Sequence, residues 1–350
     1  MRILLINPGA TSTKLAVFAD KSEIFKINVA HTAEELAVYD SVIDQLEFRK
    51  QLVLETLAAA GLEMSGFDAI CGRGGLMRPL SSGTYRVNER ALEDVRNARY
   101  GEHASNLGCC LAWELGGSGK IPAFFVDPPS VDEREKYAKI SGYKGLERPC
   151  IFHALNQKGV ARLAAEKLGR PYEECNLIVV HMGGGISVAA HRKGRVVDVT
   201  NCTEEGSFSI DRSGGLPVSK VLSACHESAS YPQLRRSILR EGGIYSYLGT
   251  RDFREVERRV QDGDEEAGLV AGAMAYQTAK DIGSMAAVLR FAVDALVLTG
   301  GLANSEWLCD EISQYTSNIA PILMFPGEDE MRRMALGVLS VFQGKEALTY

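Results

Sequence analysis

The stretch INPGATSTKLAVF, residues 6–18, decides the fold because it places small and polar residues between two apolar segments. ILLI before it and LAVF after it have the composition of β-strands, so the chain is predicted to begin with a β-hairpin. A tight hairpin needs only two to five loop residues. The segment Pro8–Lys14 is longer, and its hydroxyls, glycine and lysine indicate a loop that holds a ligand.

Parts of this pattern recur in the second half of the chain. LIVVHMGGGISVAAH (residues 177–191) is again strand, small-residue turn and strand, and VDALVLTGGLAN (293–304) matches FDAICGRGGLM (67–77) without a gap. A repeat of this size predicts two similar α/β domains rather than a solenoid. Strands and helices alternate between these segments, which indicates two mixed sheets flanked by helices, with a ligand site in the cleft between the halves.

Composition excludes several classes of protein. The 350 residues carry a formal net charge of −6, which gives no basic surface for nucleic acid or for an anionic membrane. No apolar run reaches the length of a membrane span, and the N-terminal apolar run is too short for a signal peptide. The eight cysteines lack metal-ligand spacing, so reduced thiols in a cytoplasmic protein are expected.

Several loops carry groups that could bind an anion. The glycines of HMGGGIS (181–187) let backbone N–H groups approach a phosphate, although one such turn alone is more typical of a flexible β-turn. Arg73, Arg78 and Arg212 lie on glycine-rich loops, where they would form an anion clamp if they faced one cleft and would otherwise be surface residues. The acids at 328–330 begin a helix, where carboxylates also occur simply to oppose the helix dipole.

Taken together, these motifs resemble one family in order and spacing. Spread from the first strand to the last helix, INPGATSTKLAVF, GRGG, FVDPP, FHALN, HMGGGIS, DRSGG, TGGLAN and PGEDE resemble the butyrate kinases, also called branched-chain carboxylic acid kinases. These are similar to the acetate kinases within the actin, sugar-kinase and heat-shock ATPase superfamily. The resemblance implies an α/β fold of two duplicated actin-like ATPase (ribonuclease H-like) domains with the active site in the inter-domain cleft. The first domain would comprise residues 1–150 and 326–350, since the last helix returns to it, and the nucleotide-binding domain residues 151–325.

The resemblance also implies an activity, the Mg²⁺-dependent phosphorylation of a short-chain carboxylate by ATP to an acyl phosphate, reversible to make ATP from ADP. Butyrate, isobutyrate or valerate would be the substrate, with acetate or propionate as the alternative. Mapped on the acetate kinase pattern, the implied catalytic residues are Arg73, Asp127, His153 and Arg212. The implied metal site is Asn7 with one of Glu328, Asp329 and Glu330. The implied phosphate- and nucleotide-binding residues are Ser12, Lys14, His181, Gly183, Gly184, Gly185, Asp252, Phe253, Arg254, Gly301, Leu302, Ala303 and Asn304.

The substrate pocket is assigned to Gly74, Gly75 and His103. The two glycines follow Arg73 where acetate kinases carry bulkier residues, which predicts space for a longer acyl tail. Two other departures from acetate kinases are Ala10, which replaces a usual serine, and Gly184, which replaces a usual asparagine. The glycines at 74 and 75 could instead serve only to turn the chain.

Two other functions fit parts of the pattern. A sugar or alcohol kinase needs an aspartate to accept the hydroxyl proton, whereas a carboxylic acid is already ionised at pH 7. In the carboxylate kinase Asp127 would therefore orient Arg212 or a metal-bound water. An actin-like or chaperone-like ATPase would use the nucleotide to gate assembly. The apolar helix predicted at 265–290 and the apolar last helix favour a homo-oligomer, a dimer or higher.

Overall fold

The computed structural model describes residues 1–350. Its strands are Arg2–Pro8 (β1), Ser12–Ala19 (β2), Ser22–Ala30 (β3), Ala69–Gly72 (β4), Thr84–Arg86 (β5), Ala123–Val126 (β6), Asn176–Met182 (β7), Ile186–Arg192 (β8), Arg195–Val199 (β9), Ala295–Gly300 (β10), Ile322–Pro326 (β11) and Leu348–Thr349 (β12). Its α-helices are Ala33–Ala37 (α1), Leu46–Ala59 (α2), Glu89–Arg96 (α3), Asn106–Leu115 (α4), Lys136–Lys139 (α5), Ala154–Lys167 (α6), Val218–Glu227 (α7), Tyr231–Arg240 (α8), Gly243–Leu248 (α9), Phe253–Gln261 (α10), Glu265–Val288 (α11), Glu306–Thr316 (α12) and Glu330–Phe342 (α13). Short 3₁₀ helices lie at Ile43–Gln45, Met64–Gly66, Tyr172–Glu174 and Gly301–Asn304. None of the helices has both the length and the apolar character that crossing a membrane requires.

The chain divides into two compact units. The first unit comprises Met1–Asp132 and Asp329–Tyr350, and the second unit comprises Glu133–Glu328. The division predicted after residue 150 therefore differs from the observed one, because residues 133–150 lie in the second unit. Ion pairs explain the difference, since Arg148 binds Glu205 at 2.9 Å and Lys158 binds Glu133 at 2.8 Å.

The sheet of the first unit has the strand order β12-β5-β6-β4-β1-β2-β3. β1 is antiparallel to β2 and parallel to β4, as expected for a hairpin followed by a helical crossover. One face packs against α2, α3 and α4, and Phe125 belongs to that core. Its neighbour Phe124 points to the opposite face, where its ring lies 6.1 Å from that of Phe342 in α13. Helices thus cover both faces of this sheet.

The second unit repeats this topology. Its sheet order β11-β10-β7-β8-β9 corresponds to β6-β4-β1-β2-β3, with the same parallel and antiparallel pairings. α6 packs on one face, against Leu177 and Val179, and α10 to α12 cover the other face, against Ile178 and Val180. The duplication predicted from the sequence is therefore confirmed, including the matching places of GRGG and TGGL at the ends of β4 and β10.

The first hairpin is tighter than predicted. β1 extends to Pro8 and β2 begins at Ser12, so only residues 9–11 form the turn, and Asn7 pairs with Lys14 across the strands. The turn between β7 and β8 is equally short, residues 183–185. The predicted seven-residue loop was wrong because its polar residues are strand residues at the sheet end, where side chains need not be apolar.

Helix α4 lies close against the end of β4. A Cβ atom added to Gly108 of α4 would lie 2.6 Å from Arg73 N, and one added to Gly72 would collide with the backbone of Gly108. Real Cβ atoms do not approach backbone this closely, so both positions require glycine for packing. This contact fixes the point at which Arg73 leaves β4.

We expect Gly108→Ala to lower the melting temperature by several degrees, because overpacking of this kind costs about 1–3 kcal/mol. Gly268→Ala in α11 is the matched control, since nothing lies within 4 Å of its Cβ position. Alanine should be neutral or stabilising there by roughly 0.5–1 kcal/mol. Thermal unfolding followed by circular dichroism compares the two variants, and equal melting temperatures would contradict the packing role of Gly108.

Candidate functional site

Four of the predicted site residues form one cluster at the end of the first unit's sheet. Asn7, the last residue but one of β1, lies next to Arg73, which directly follows β4, and Glu330 begins α13. The Glu330 carboxylate accepts a 2.7 Å hydrogen bond from Asn7 Nδ2 and pairs with Arg73 Nη2 at 3.1 Å. Arg73 is only 6% exposed, and its Nη1 donates to the Asp127 carbonyl at 3.3 Å. We call these four residues the arginine cluster.

The structure separates the three acids that the sequence left equivalent. Glu330 belongs to the arginine cluster, whereas Glu328 lies in the second unit beside His181 Nε2, at 3.0 Å. Asp329 is exposed and lies 3.9 Å from Arg332, its neighbour one helical turn along α13. Only Glu330 is therefore placed to act together with Asn7 and Arg73.

Asp127 is buried and has a left-handed backbone conformation, with φ of 38°. Its Oδ1 accepts hydrogen bonds from Ser82 Oγ and from Gly83 N, both at 2.7 Å. These contacts differ from the expectation that Asp127 orients Arg212. The side chain fixes the segment before β5, while the main-chain carbonyl of the same residue holds Arg73.

The predicted acyl pocket at Gly74 and Gly75 is wrong, because protein fills that space. A Cβ atom on Gly74 would lie 2.7 Å from Pro128 Cβ, and one on Gly75 would lie 2.6 Å from Asn106 Cα. Asn106 begins α4, and its Oδ1 accepts a hydrogen bond from Leu76 N. Protein atoms rather than open space therefore lie against the two glycines. His103 lies just before α4, with Nδ1 2.8 Å from Ser105 Oγ.

Two other arginines of the first unit, Arg78 and Arg49, occupy positions that the sequence did not predict. Arg78 lies over the Tyr350 ring at 4.5 Å and is not part of the arginine cluster. Arg49 of α2, which the sequence did not indicate, is fully buried and donates to Thr13 Oγ1 at 3.0 Å and to Ser12 O at 3.2 Å. Burial lowers the pKa of its guanidinium to about 10. Its position supports the strand that carries Ser12 and the exposed Lys14.

A second cluster lies at the end of the second unit's sheet. The rings of His153, at the start of α6, and His181, in β7, stack with centroids 3.7 Å apart. His181 Nδ1 lies 3.0 Å from Asn156 Oδ1, and its Nε2 contacts Glu328 without hydrogen-bond geometry. Asn156 was part of the FHALN motif but was not singled out, although it lies one turn beyond His153 on the same helix.

Arg212 packs directly on the glycine turn between β7 and β8. Its Nη1 donates to the Cys202 carbonyl at 2.9 Å and occupies the place that a Cβ atom on Gly185 would need. Ser209 Oγ donates to the carbonyl of Gly184 at 2.5 Å, which ties the same loop to the turn. The predicted turn, Gly183 to Gly185, and the predicted Arg212 are therefore packed directly against each other.

The segments predicted to bind adenosine lie near one another. Ser305, which follows the 3₁₀ helix Gly301–Asn304, donates through Oγ to Glu257 Oε1 in α10 at 2.6 Å. Asp252 caps α10 by accepting from Arg254 N at 3.0 Å. The side chains of Phe253, Leu302 and Ala303 are buried in the core. These three residues can therefore contribute mainly backbone groups to a ligand.

The arginine cluster has the donor chemistry for Mg²⁺. The amide oxygen of Asn7 and the carboxylate of Glu330 are hard oxygen donors, and Mg²⁺ is typically held by one or two carboxylates together with phosphates and water. No group of three or more His, Cys, Asp or Glu residues in the chain could enclose a metal ion. The residues therefore fit an ion that takes most of its ligands from substrate and solvent.

Comparisons with known proteins agree with this architecture. The model of the acetokinase family matches residues 141–317. Among solved structures, acetate kinase from Porphyromonas gingivalis superposes with a TM-score of 0.80 at 19% identity, over 97% of this chain and 99% of that one. A propionate kinase from Francisella tularensis gives 0.79 at 18% identity, over 96% and 98%. Acetate kinase from Entamoeba histolytica gives 0.77 at 12% identity, over 96% and 98%. The fold is therefore the two-domain actin-like ATPase fold, as predicted.

We expect the protein to lose stability between pH 7 and pH 5, and His191 of β8 to contribute. Burial, with the nearby positive charges of Lys158 and Arg162, holds the pKa of His191 well below its usual value of 6.5. Below pH 6.5 the unfolded chain therefore binds a proton that the folded chain does not, which costs up to about 1.4 kcal/mol per pH unit. Burial lowers the pKa of His31 in the same direction.

The measurement is urea unfolding of wild type and His191→Gln across this pH range. The variant should be less stable at pH 7 yet should lose less stability on acidification than wild type. Identical pH slopes for the two proteins would contradict a neutral, buried His191.

Proposed function

This chain belongs to the acetokinase family, and from that premise we propose that it transfers the γ-phosphoryl group of ATP to a short-chain carboxylate. The products are an acyl phosphate and ADP, and the reaction is reversible. The observation that carries the proposal is the buried Arg73, which is held between Glu330 and the Asp127 carbonyl at a sheet end. A guanidinium fixed in this way suits a carboxylate ligand, because its donors are paired and planar.

In the first unit, Arg73 would bind the substrate carboxylate, and Asn7 and Glu330 would hold Mg²⁺. When bound, the ion supplies positive charge against the phosphate oxygens. Glu330 also pairs with Arg73, so one side chain serves both the metal site and the carboxylate site. Ser12 and Lys14, on the neighbouring strand, would contact phosphate.

In the second unit, the glycine turn 183–185 would hold the nucleotide phosphates through backbone N–H groups. Arg212 would neutralise the charge that develops on the transferring phosphoryl group, the main requirement of phosphoryl transfer. Its anchoring on the Cys202 carbonyl keeps it beside the turn. His153 would donate a hydrogen bond to the same phosphoryl group, and the segments around Asp252 and Asn304 would bind adenosine.

The contacts of Asp127 favour a carboxylate acceptor over an alcohol. An alcohol must lose its proton to a base, whereas a carboxylate is already ionised at pH 7. One oxygen of Asp127 is committed to Ser82 and Gly83, as expected for a residue that supports the loop rather than for a base. The arrangement therefore supports a reaction without a general base.

We further propose that butyrate, isobutyrate or valerate is preferred over acetate or propionate. The support is the resemblance of the motif set to butyrate kinases, since Gly74 and Gly75 provide no space for the acyl tail. Each methylene removed from water contributes about 0.8 kcal/mol, so two favour butyrate over acetate by roughly tenfold. The kcat/KM values for these five acids measure the preference, and a maximum at acetate would reject it without rejecting the kinase.

Hydroxylamine, which traps acyl phosphates as hydroxamates, tests the reaction itself. The protein with ATP, Mg²⁺ and butyrate should form hydroxamate, and omission of the carboxylate should abolish it. ATP hydrolysis without any hydroxamate, for all five acids, would overturn the proposal and favour an ATPase that gates assembly.

Glu330→Gln should lower the rate in this assay by roughly 10²-fold or more, because it weakens both the metal site and the hold on Arg73. The matched control is Asp329→Asn, the exposed neighbour, which should stay within a few-fold of wild type. Equal effects of the two substitutions would contradict the assignment of the metal-linked acid to Glu330.

Arg212→Ala should lower kcat by roughly 10³-fold or more while ATP binding changes little, because the cation acts on charge that appears in the transition state. Arg236→Ala is the control, since that exposed side chain pairs only with Glu241. Calorimetric titration with ATP separates binding from turnover. A kcat within a few-fold of wild type would show that Arg212 has no such role.

A further inference from the structure

A continuous line of polar side chains runs behind His153 in the second unit. Tyr172 Oη lies 2.7 Å from His191 Nδ1, and His191 Nε2 lies 3.2 Å from Gln157 Oε1. Gln157 Nε2 lies 2.8 Å from Ser187 Oγ, which lies 3.1 Å from His153 Nδ1. Gln157, Ser187 and His191 are fully buried, so these bonds are shielded from water. Their line ends at the histidine that the proposed function places on the phosphoryl group.

The elements explain why these residues meet. Ser187 and His191 are four residues apart on β8 and therefore point to the same face of the sheet. His153 is the residue directly before α6 and Gln157 lies in its first turn, and both side chains reach Ser187 Oγ. Ser187 is also the direct cross-strand partner of His181. Gln157 of α6 thus lies between Ser187 and His191, near the two ends of β8.

The direction of each hydrogen bond follows from elementary donor chemistry. Gln157 Nε2 also donates to the main-chain carbonyl of Ser187 at 3.0 Å, and a carbonyl can only accept. The amide nitrogen of Gln157 must therefore face Ser187, and its Oε1 must face His191. His191 consequently carries its proton on Nε2 and accepts from the Tyr172 hydroxyl on Nδ1. Burial, which lowers the pKa of His191, keeps this ring neutral.

The same reasoning fixes the last bond of the line. Ser187 Oγ already accepts a proton from Gln157, and its only other hydrogen-bond partner is His153 Nδ1. A protonated Nδ1 would leave the serine proton without an acceptor, so the line favours donation from the Ser187 hydroxyl to an unprotonated Nδ1. A neutral His153 then carries its proton on Nε2.

We propose that Ser187 and Gln157 are positioning residues that hold His153 as a neutral ring protonated on Nε2, ready to donate a hydrogen bond during phosphoryl transfer. The inference rests on the proposed function for that transfer, but the protonation state stands on the hydrogen-bond line alone. The stacking on His181 supports it, because two cationic rings 3.7 Å apart would repel each other.

The direct test is the protonation pattern of the histidine rings in the intact protein. With only six histidines, long-range ¹H–¹⁵N spectra of ¹⁵N-histidine-labelled wild type resolve the ring nitrogens, and His153→Gln and His191→Gln assign the signals. We expect both rings to be protonated on Nε2 and unprotonated on Nδ1 at pH 7.5. A proton on Nδ1 of His153, alone or in a doubly protonated ring, overturns the proposal. This measurement needs no substrate, so its outcome does not depend on whether the protein is a carboxylate kinase.

Kinetics then test whether the line matters for turnover. Ser187→Ala should lower kcat by roughly five- to tenfold, the loss expected for one hydrogen bond, with KM for ATP and carboxylate within twofold. Ser187→Thr keeps the hydroxyl and should restore most of kcat. Gln157→Met, which removes the donor to Ser187, should lower kcat similarly and leave His153 in a mixture of both tautomers. Unchanged kcat in the alanine variant, or no rescue by threonine, would reject the positioning role.

Discussion

Direct contact between backbone segments, without any side chain between them, is the constraint on which the arginine cluster and the glycine turn 183–185 both depend. In the first unit, Gly72 and Gly108 let α4 touch β4, and Gly75 admits the start of the same helix. In the second unit, a Cβ atom on Gly300 would collide with the main-chain carbonyl of Met182, at the end of the adjacent strand. These contacts leave the chain little freedom at strand ends, and Arg73 and the 183–185 turn begin there. Close approach of main chain therefore restricts where these groups can lie, in addition to their side-chain bonds.

The two units use the same topology for different chemistry. At the end of the first sheet, an arginine, a carboxylate and an amide form a charged cluster, Arg73 with Glu330 and Asn7. At the end of the second, a glycine turn lies beside Arg212 and follows His181, whose ring stacks on that of His153. The two units share the sheet topology and differ in the residues at the strand ends. This pattern is typical of α/β folds, where function is set by the residues that follow the strands.

The sequence predicted the duplication and most members of both clusters, because motif residues at strand ends carry a pattern that is local in the chain. It could not distinguish Glu330 from Glu328 and Asp329, since the partners of the first two, Arg73 and His181, are distant in the sequence. It misread Gly74 and Gly75, because the reason for each glycine is a distant residue, Pro128 or Asn106, that only the fold brings near. Arg49 gave no signal either, since an arginine in a helix is usually exposed. Hydrogen-bond direction along the line behind His153 likewise needs three-dimensional neighbours.

Asp127 combines a left-handed backbone conformation with a main-chain contact to Arg73. Aspartate is one of the few residues other than glycine that adopt the left-handed region, and this one is kept there by hydrogen bonds from Ser82 and Gly83. The same residue aims its carbonyl at Arg73. Glycine at position 127 would relax the backbone, but it would also leave Ser82 Oγ and Gly83 N without their acceptor. A substitution chosen only to relieve the backbone would therefore loosen both the segment before β5 and the hold on the Arg73 side chain.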